Sequence, residues 1–318
     1  MPDAPVADIS AWLDRLSRHP PSRRGTSPDF LQQLRQTLRR PVDRLLCIAA
    51  DPEPDLKILS GVMAGRTADV RRGIAVVEQM TARRVTLIDA SYPRRHAYPA
   101  LHPSLLIRRK FGRRLRPARP TTDVGVLMFD AITAAELAAV ERGESFELPV
   151  VIDDVRDRRR HRISAPAAMS VADVLARVGI DPAGAVITQG APQARAAVAL
   201  QTASPTTPTG GRRPRAIGET DLWLRVSPAA PAVSPSACTR CGDCVTACPV
   251  DLHPAALLEA VQARDGDMAH AFAISACIEC GLCTGVCPSR LPLMESFRAF
   301  KRQPENAPGE EVPHEVIE

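Results

Sequence analysis

The chain has 318 residues, 45% of them apolar and only 3% aromatic, with a formal net charge of +5 at pH 7. That length and apolar content support about two or three domains with cores of Ala, Val, Leu and Ile, and argue against a disordered polymer. No apolar run approaches the roughly 18 residues of a membrane span, and no basic face is interleaved with the aromatic platform that nucleic acid needs. Of 41 basic residues only Lys57, Lys110 and Lys301 are lysine, a bias of base composition rather than function. Met1-Pro-Asp-Ala-Pro carries no basic segment followed by an apolar one, so no leader is expected and a cytoplasmic location is.

Residues 1–42 read as an N-terminal helical segment. The amphipathic patterns Ile9 to Leu13 and Phe30-Leu31-x-x-Leu34-x-x-x-Leu38 flank a turn-rich stretch, His19 to Gly25, and predict two helices packed loosely on the next domain. Residues 43–145 read as an α/β domain. Asp43 to Ala49 has strand length; Thr67 is placed to cap a helix bearing Val70, Ile74 and Val77; Arg84 to Asp89 is the next strand. This is a β-α-β unit with a parallel pair. A further strand, Asp123 to Met128, leads through Asp130 as N-cap into a helix over 131–142, stopped by Gly143.

Residues 146–227 change character. Phe146 to Ile152 and Arg160 to Ile163 are predicted to pair as a hairpin. Ser170 caps a helix, with Asp173 three residues on, and Gly179 ends it. Ala185 to Thr188 and Asp221 to Val226 are later strands, and 203–214 is a loop. This content suits a β-grasp-like module. Residues 228–236, rich in Pro and Ala, form a semi-stiff linker. Residues 303–318 form an acidic tail expected to be disordered.

Eight of the nine cysteines fall between 238 and 287, in two runs of C-x-x-C-x-x-C-x-x-x-C-P. This spacing sets three thiolates around one iron–sulfur cube and sends the fourth, before a proline, to the other cube. Two [4Fe-4S] clusters are thus expected. The first is assigned to Cys238, Cys241, Cys244 and Cys287, the second to Cys277, Cys280, Cys283 and Cys248. Structural zinc uses separated pairs and fits poorly. Residues 254–263 between the runs have helical character, so 237–302 is predicted to be a mainly helical ferredoxin domain. Cys47, inside Leu45-Leu46-Cys47-Ile48, reads as a buried small hydrophobe. The fold class is therefore α/β plus α+β: a truncated Rossmann-like domain, a β-grasp-like module and a helical two-cluster domain.

Over roughly residues 43–302 the chain resembles the C subunit of Rnf-type electron-transport complexes (RnfC), of the complex I flavin-subunit superfamily. The likeness rests on Cys277-Ile-Glu-Cys280-Gly-Leu-Cys283 running on through Cys287-Pro-Ser-Arg-Leu-Pro-Leu293. It rests also on Tyr92-Pro93 and on Pro120-Thr-Thr-Asp-Val-Gly-Val126, while Val171 to Gly190 is similar to a soluble-ligand-binding β-grasp (SLBB) domain. The resemblance implies an iron–sulfur electron-transfer subunit of a larger redox complex, relaying single electrons. Its partners would be a ferredoxin- or flavodoxin-like carrier and other subunits, with peripheral membrane association through one of them. In that family the α/β domain oxidises NADH through FMN held by a glycine-rich loop. Residues 1–60 here contain one glycine, Gly25, so FMN is not expected, and an FMN-dependent NADH-oxidising subunit is the alternative. The basic run from Arg108 to Arg119, with Arg113, Arg114 and Arg116 at its centre, is the candidate docking surface for an acidic carrier. A second basic block spans Arg156 to Arg162.

Overall fold

The computed structural model describes residues 9–19, 21, 29–51, 56–89, 91–92, 98–117, 119–189, 198–200, 216–217, 222–228 and 234–303. Among these residues lie twelve helices and two sheets, a mixed α/β architecture followed by a helical C-terminal part. The chain divides into two units. One comprises Met1–Leu115, Arg119–Ala191 and Ala197–Ala230; the other comprises Arg116–Ala118, Pro192–Ala196 and Pro231–Glu318. The expected loop at 203–214 and tail at 304–318 lie outside the described residues.

The first unit begins with α1 (Ile9–Arg18) and α2 (Phe30–Thr37), followed by β1 (Arg44–Ile48). Then come α3 (Leu59–Gly65), α4 (Thr67–Thr81), β2 (Val85–Ile88), α5 (Pro103–Phe111), β3 (Val126–Asp130) and α6 (Ala131–Arg142). The three strands form an all-parallel sheet in the order β2-β1-β3, with Leu45 opposite Val85 and Leu127. Every residue of β3 is buried, as expected of a parallel strand covered on both faces.

β3 is nonetheless an edge strand, with outward backbone groups that need partners. The buried Gln33 of α2 supplies them. Its amide Nε2 donates to the Met128 carbonyl at 2.8 Å, and its Oε1 accepts from the Met128 N–H at 2.9 Å and from the Thr121 hydroxyl at 2.7 Å. With Leu16, Leu34, Trp12 and Phe30 buried in the same core as Leu127 and Phe129, α1 and α2 are tightly seated, not loosely packed. A helical apolar pattern shows which face is buried but not that a glutamine on it will close a sheet edge.

Two other expectations are corrected, and one helix was not expected. Thr67 does not cap α4: its hydroxyl donates back to the Met63 carbonyl at 2.7 Å, because α3 runs almost directly into α4. The strand expected from Asp123 starts at Val126, since Thr121–Val124 form a 3-10 turn closed by Gly125 at φ 73°. Helix α5 occupies a stretch that stands out in the sequence only for its charge, although Pro103 at its start and Gly112 at φ 69° just past its end are ordinary boundary signals. The Asp130 cap on Thr133 (2.7 Å) and the Gly143 stop of α6 are as expected. Cys47 is fully buried in β1.

The same unit holds β4 (Glu147–Asp154), β5 (Arg159–Pro166), α7 (Val171–Arg177), β6 (Ala185–Gln189), β7 (Val198–Leu200) and β8 (Trp223–Pro228). Their order is β5-β4-β8-β6-β7, with β4 and β8 parallel and the other pairs antiparallel. A hairpin, a helix and a last strand inserted beside the first make the β-grasp-like topology that the sequence predicts. Ser170 caps α7 by accepting from Asp173 N–H at 3.1 Å.

The second unit is helical: α8 (Asp243–Thr246), α9 (Pro254–Gln262), α10 (Gly266–Ala271), α11 (Leu282–Val286) and α12 (Leu293–Lys301). Leu257, Leu258, Ala269, Ile274, Leu293, Phe297 and Phe300 make its core. No helix among the described residues is long and apolar enough to cross a membrane.

Gly73 fixes the approach of α4 to α6: a Cβ there would lie 1.8 Å from the Ala134 carbonyl oxygen, a backbone atom that cannot step aside. Gly73→Ala is expected to destabilise the first unit by on the order of 3 kcal/mol. Gly61→Ala, at an exposed position of α3 with nothing within 4 Å, should stabilise it by about 0.5–1 kcal/mol. Both tryptophans, Trp12 and Trp223, lie in this unit, so urea unfolding followed by tryptophan fluorescence reads the effect. Equal midpoints for the two variants would contradict it.

Candidate functional site

The two cysteine runs fold alike. In each, the residue before the second cysteine is left-handed, Arg240 at φ 55° and Glu279 at φ 56°. The glycine after it is also left-handed, Gly242 at φ 84° and Gly281 at φ 76°. A short helix then starts, α8 or α11, carrying the third cysteine, Cys244 or Cys283, in its first turn. After the fourth cysteine and its proline the chain turns again through Asp251 (φ 57°) or Arg290 (φ 55°). Glycine at 242 answers to this conformation: a Cβ there would meet no other protein atom within 4 Å. Such alternation turns successive N–H groups toward one point, which suits an anionic group. N–H groups donate to sulfur, among them Arg240 to Cys238 Sγ at 3.4 Å and Leu252 to Cys248 Sγ at 3.3 Å.

Cys248, from the end of the first run, lines one small cavity together with Cys277, Cys280 and Cys283 of the second. The rest of its wall includes Leu252, Ile278, Met294 and Phe297. The first run and the end of the second are joined elsewhere. The Ser236 N–H donates to the Ser289 carbonyl at 3.0 Å, and the buried Ser289 hydroxyl donates to the Ala237 carbonyl at 2.8 Å. That pairing ties the chain just before Cys238 to the chain just after Cys287. Among the described residues no three His, Cys, Asp or Glu side chains converge as ligands of a single metal ion. A cube that takes one thiolate on each of four irons needs a wider spread of sulfurs.

Burial differs between the runs. Cys238 and Cys241 are exposed, Cys244, Cys248, Cys277, Cys280 and Cys287 are half-buried, and Cys283 is buried. Burial pushes the Cys283 thiol up to about 12 and the Cys280 thiol up to about 11, and neighbouring thiols including Cys277 and Cys248 add to it. Burial also raises Cys277 and Cys244, the Lys301 charge opposing it at Cys277. A thiolate in so apolar a place is costly unless a metal meets it, so loading must drive protons off.

Residues 237–291 match the model of 4Fe-4S dicluster domains (Fer4_9). This stretch is a ferredoxin-type iron–sulfur domain, and its role is electron transfer. No curated protein matches the chain. The donor set fits the group: soft thiols, N–H donors to sulfur and an apolar wall.

The docking candidates fare unequally. Arg113 forms a bidentate pair with Asp43 at 2.6 Å and donates to the Val124 carbonyl at 2.8 Å. Its guanidinium holds the Asp43 carboxyl below its ordinary value. Arg114 and Arg116 are exposed. In the second block Arg156 pairs with Asp154 and Arg160 with Asp153, while Arg162 donates to the Leu56 carbonyl. Much of that block therefore secures the β4–β5 hairpin.

Two features of the fold were not expected from the sequence. Asp51 ends the β1 segment with its carboxylate on the Ile58, Leu59 and Ser60 N–H groups at 2.9, 2.7 and 3.1 Å, and on the Ser60 hydroxyl. Glu279, Arg298 and Lys301 form an ion cluster beside Cys277. No run or spacing in the sequence marks the latter, because its residues are 19 and 22 positions apart.

In cluster-free protein at pH 8, iodoacetamide should label the exposed Cys238 and Cys241 first and Cys280 and Cys283 last. The labelling of the last two should rise steeply as pH climbs toward 11, since their raised thiols hold their protons until then. Peptide mass spectrometry over a time course reads the order, and uniform labelling would contradict it.

Proposed function

We propose that the chain is an iron–sulfur electron-transfer subunit of a larger redox complex, with two [4Fe-4S] clusters wired crosswise between its cysteine runs. The observation that carries this is Cys248 in one cavity with Cys277, Cys280 and Cys283. Cys238, Cys241, Cys244 and Cys287 are the other ligand set, supported by the Ser236–Ser289 pairing that draws the ends of the two runs together. Such clusters, when bound, take up and release single electrons. The protein's own contribution is to hold the thiols, exclude water with Leu252, Met294 and Phe297, and offer N–H groups to sulfur. Partners would be one-electron carriers of ferredoxin or flavodoxin type and other subunits. A docking role of the basic run rests less on Arg113, whose charge is met by Asp43.

The order of a parallel α/β sheet, a β-grasp-like module and a dicluster domain supports an RnfC-like assignment. The α/β part is read as a scaffold without FMN. In open parallel sheets, phosphates bind at helix N-termini beyond the carboxyl ends of the strands. Here the N–H groups at the start of α3, which comes after β1, are taken by the chain's own Asp51 carboxylate. A phosphate there would meet a like charge instead of bare donors.

Anaerobic analysis should find about eight irons and eight sulfides per chain. Cys248→Ser and Cys277→Ser should damage the same cluster signal in electron paramagnetic resonance, leaving the other intact. Loss of different signals would mean local wiring, and four irons after full reconstitution would mean a single cluster.

Incubation with NADH and FMN should neither load stoichiometric flavin nor bleach the clusters at a catalytic rate, because a hydride donor needs a flavin to feed one-electron centres. Flavin that survives gel filtration would restore the NADH-oxidising alternative.

A further inference from the structure

The cavity lined by Cys248, Cys277, Cys280 and Cys283 has an apolar wall, and a group of charges lies at the loop that presents Cys277 and Cys280. Glu279 stands between Cys277 and Cys280, and its left-handed backbone turns it back toward α12. Its carboxylate accepts from Arg298 Nε at 2.9 Å and from Lys301 Nζ at 3.2 Å. Lys301 Nζ also donates to the Cys277 carbonyl at 2.6 Å. The Lys301 side chain is 16% exposed and that of Arg298 23%. Both cations project from the last turns of α12, the helix whose Met294 and Phe297 line the cavity.

Two cations against one carboxylate leave one positive charge beside the loop that presents Cys277 and Cys280. Half-burying an ammonium costs free energy and lysine carries large rotamer entropy, so a tether alone is a poor reason for it. Glu279 already has Arg298, and a carbonyl needs only a neutral donor. What a cation adds is a field, and in an apolar surrounding that field reaches the thiolates with little screening. The position in the first run that matches Glu279 is Arg240, which is solvent-exposed, where water screens it.

We propose that Lys301 tunes the reduction potential of the cluster held by Cys248, Cys277, Cys280 and Cys283, favouring its reduced form, and that Glu279 moderates this effect. This rests on the two-cluster reading. On reduction one electron arrives from a one-electron donor, the site's charge falls by one, no bond is made or broken, and Lys301 keeps its proton. The added negative charge is the one Lys301 stabilises. Lys301 is thus a positioning residue, acting on the site through charge and through the Cys277 carbonyl.

The test is a dithionite titration of the whole protein monitored by electron paramagnetic resonance, with iron counted in every sample and the signal assigned by its loss in Cys277→Ser. Lys301→Met should shift the reduction equilibrium of that signal about tenfold toward the oxidised form, 59 mV for one electron. Lys301→Arg should restore most of the wild-type value. Glu279→Gln, which leaves the Lys301 bond to Cys277 in place, should shift it the other way. Full iron with no shift in Lys301→Met and Glu279→Gln would overturn the proposal. If Lys301→Met loses iron, Glu279→Gln decides alone, and an unmoved signal there also overturns it. Four irons in the wild-type protein would refute the two-cluster reading instead, while the shifts would still judge Lys301 on the remaining signal.

Discussion

A group of thiols brought together in an apolar cavity is the constraint on which the second unit depends. Buried thiolates repel one another and lose their hydration, which is why burial raises Cys280 and Cys283 so far. An arrangement that poor in energy on its own persists because the rest of the unit holds it. Left-handed turns at Arg240, Gly242, Glu279 and Gly281 set the sulfurs. The core of Leu257, Leu293, Phe297 and Phe300 locks α9 against α12 beneath them. Loading such thiols with iron releases their protons.

The first unit is organised by close backbone approaches and by pairing of the sheet edge. Gly73 lets α4 lie on α6, and Gln33 occupies the outward backbone groups of β3 in place of another strand. Both devices make a rigid parallel sheet from only three strands. At the carboxyl end of that sheet the Asp51 carboxylate occupies the first N–H groups of α3. The first N–H donors of α3 are thus met within the chain itself.

The charged residues divide along the same line. Runs that look like docking surfaces in the sequence are partly spent inside the fold: Arg113 on Asp43, Arg156 on Asp154, Arg160 on Asp153. The charges on Glu279, Arg298 and Lys301 lie outside those two blocks. Charge density along the chain is a poor guide to field strength at a site, because screening depends on burial.

Much was legible in the sequence because it is local. Cysteine spacing and the proline after each fourth cysteine mark the iron–sulfur domain. Runs of strand length mark β1 and β2, and apolar spacing marks α4; Asp130, Ser170 and Gly143 mark helix ends by chemistry that reaches only a few residues. Other features required the tertiary structure, because they depend on residues far apart in the chain. The seating of α1 and α2 turns on Gln33 meeting Met128, 95 positions away. The loss of Thr67 as a cap is due to α3, and the beginning of β3 at Val126 to a turn closed by Gly125. The shared cavity of Cys248 and the second run, and the placing of Lys301 on the Cys277 carbonyl, are likewise decided by packing. A spacing pattern states which side chains can bind a metal; only the folded chain states which of them meet, and which charges lie close enough to be felt.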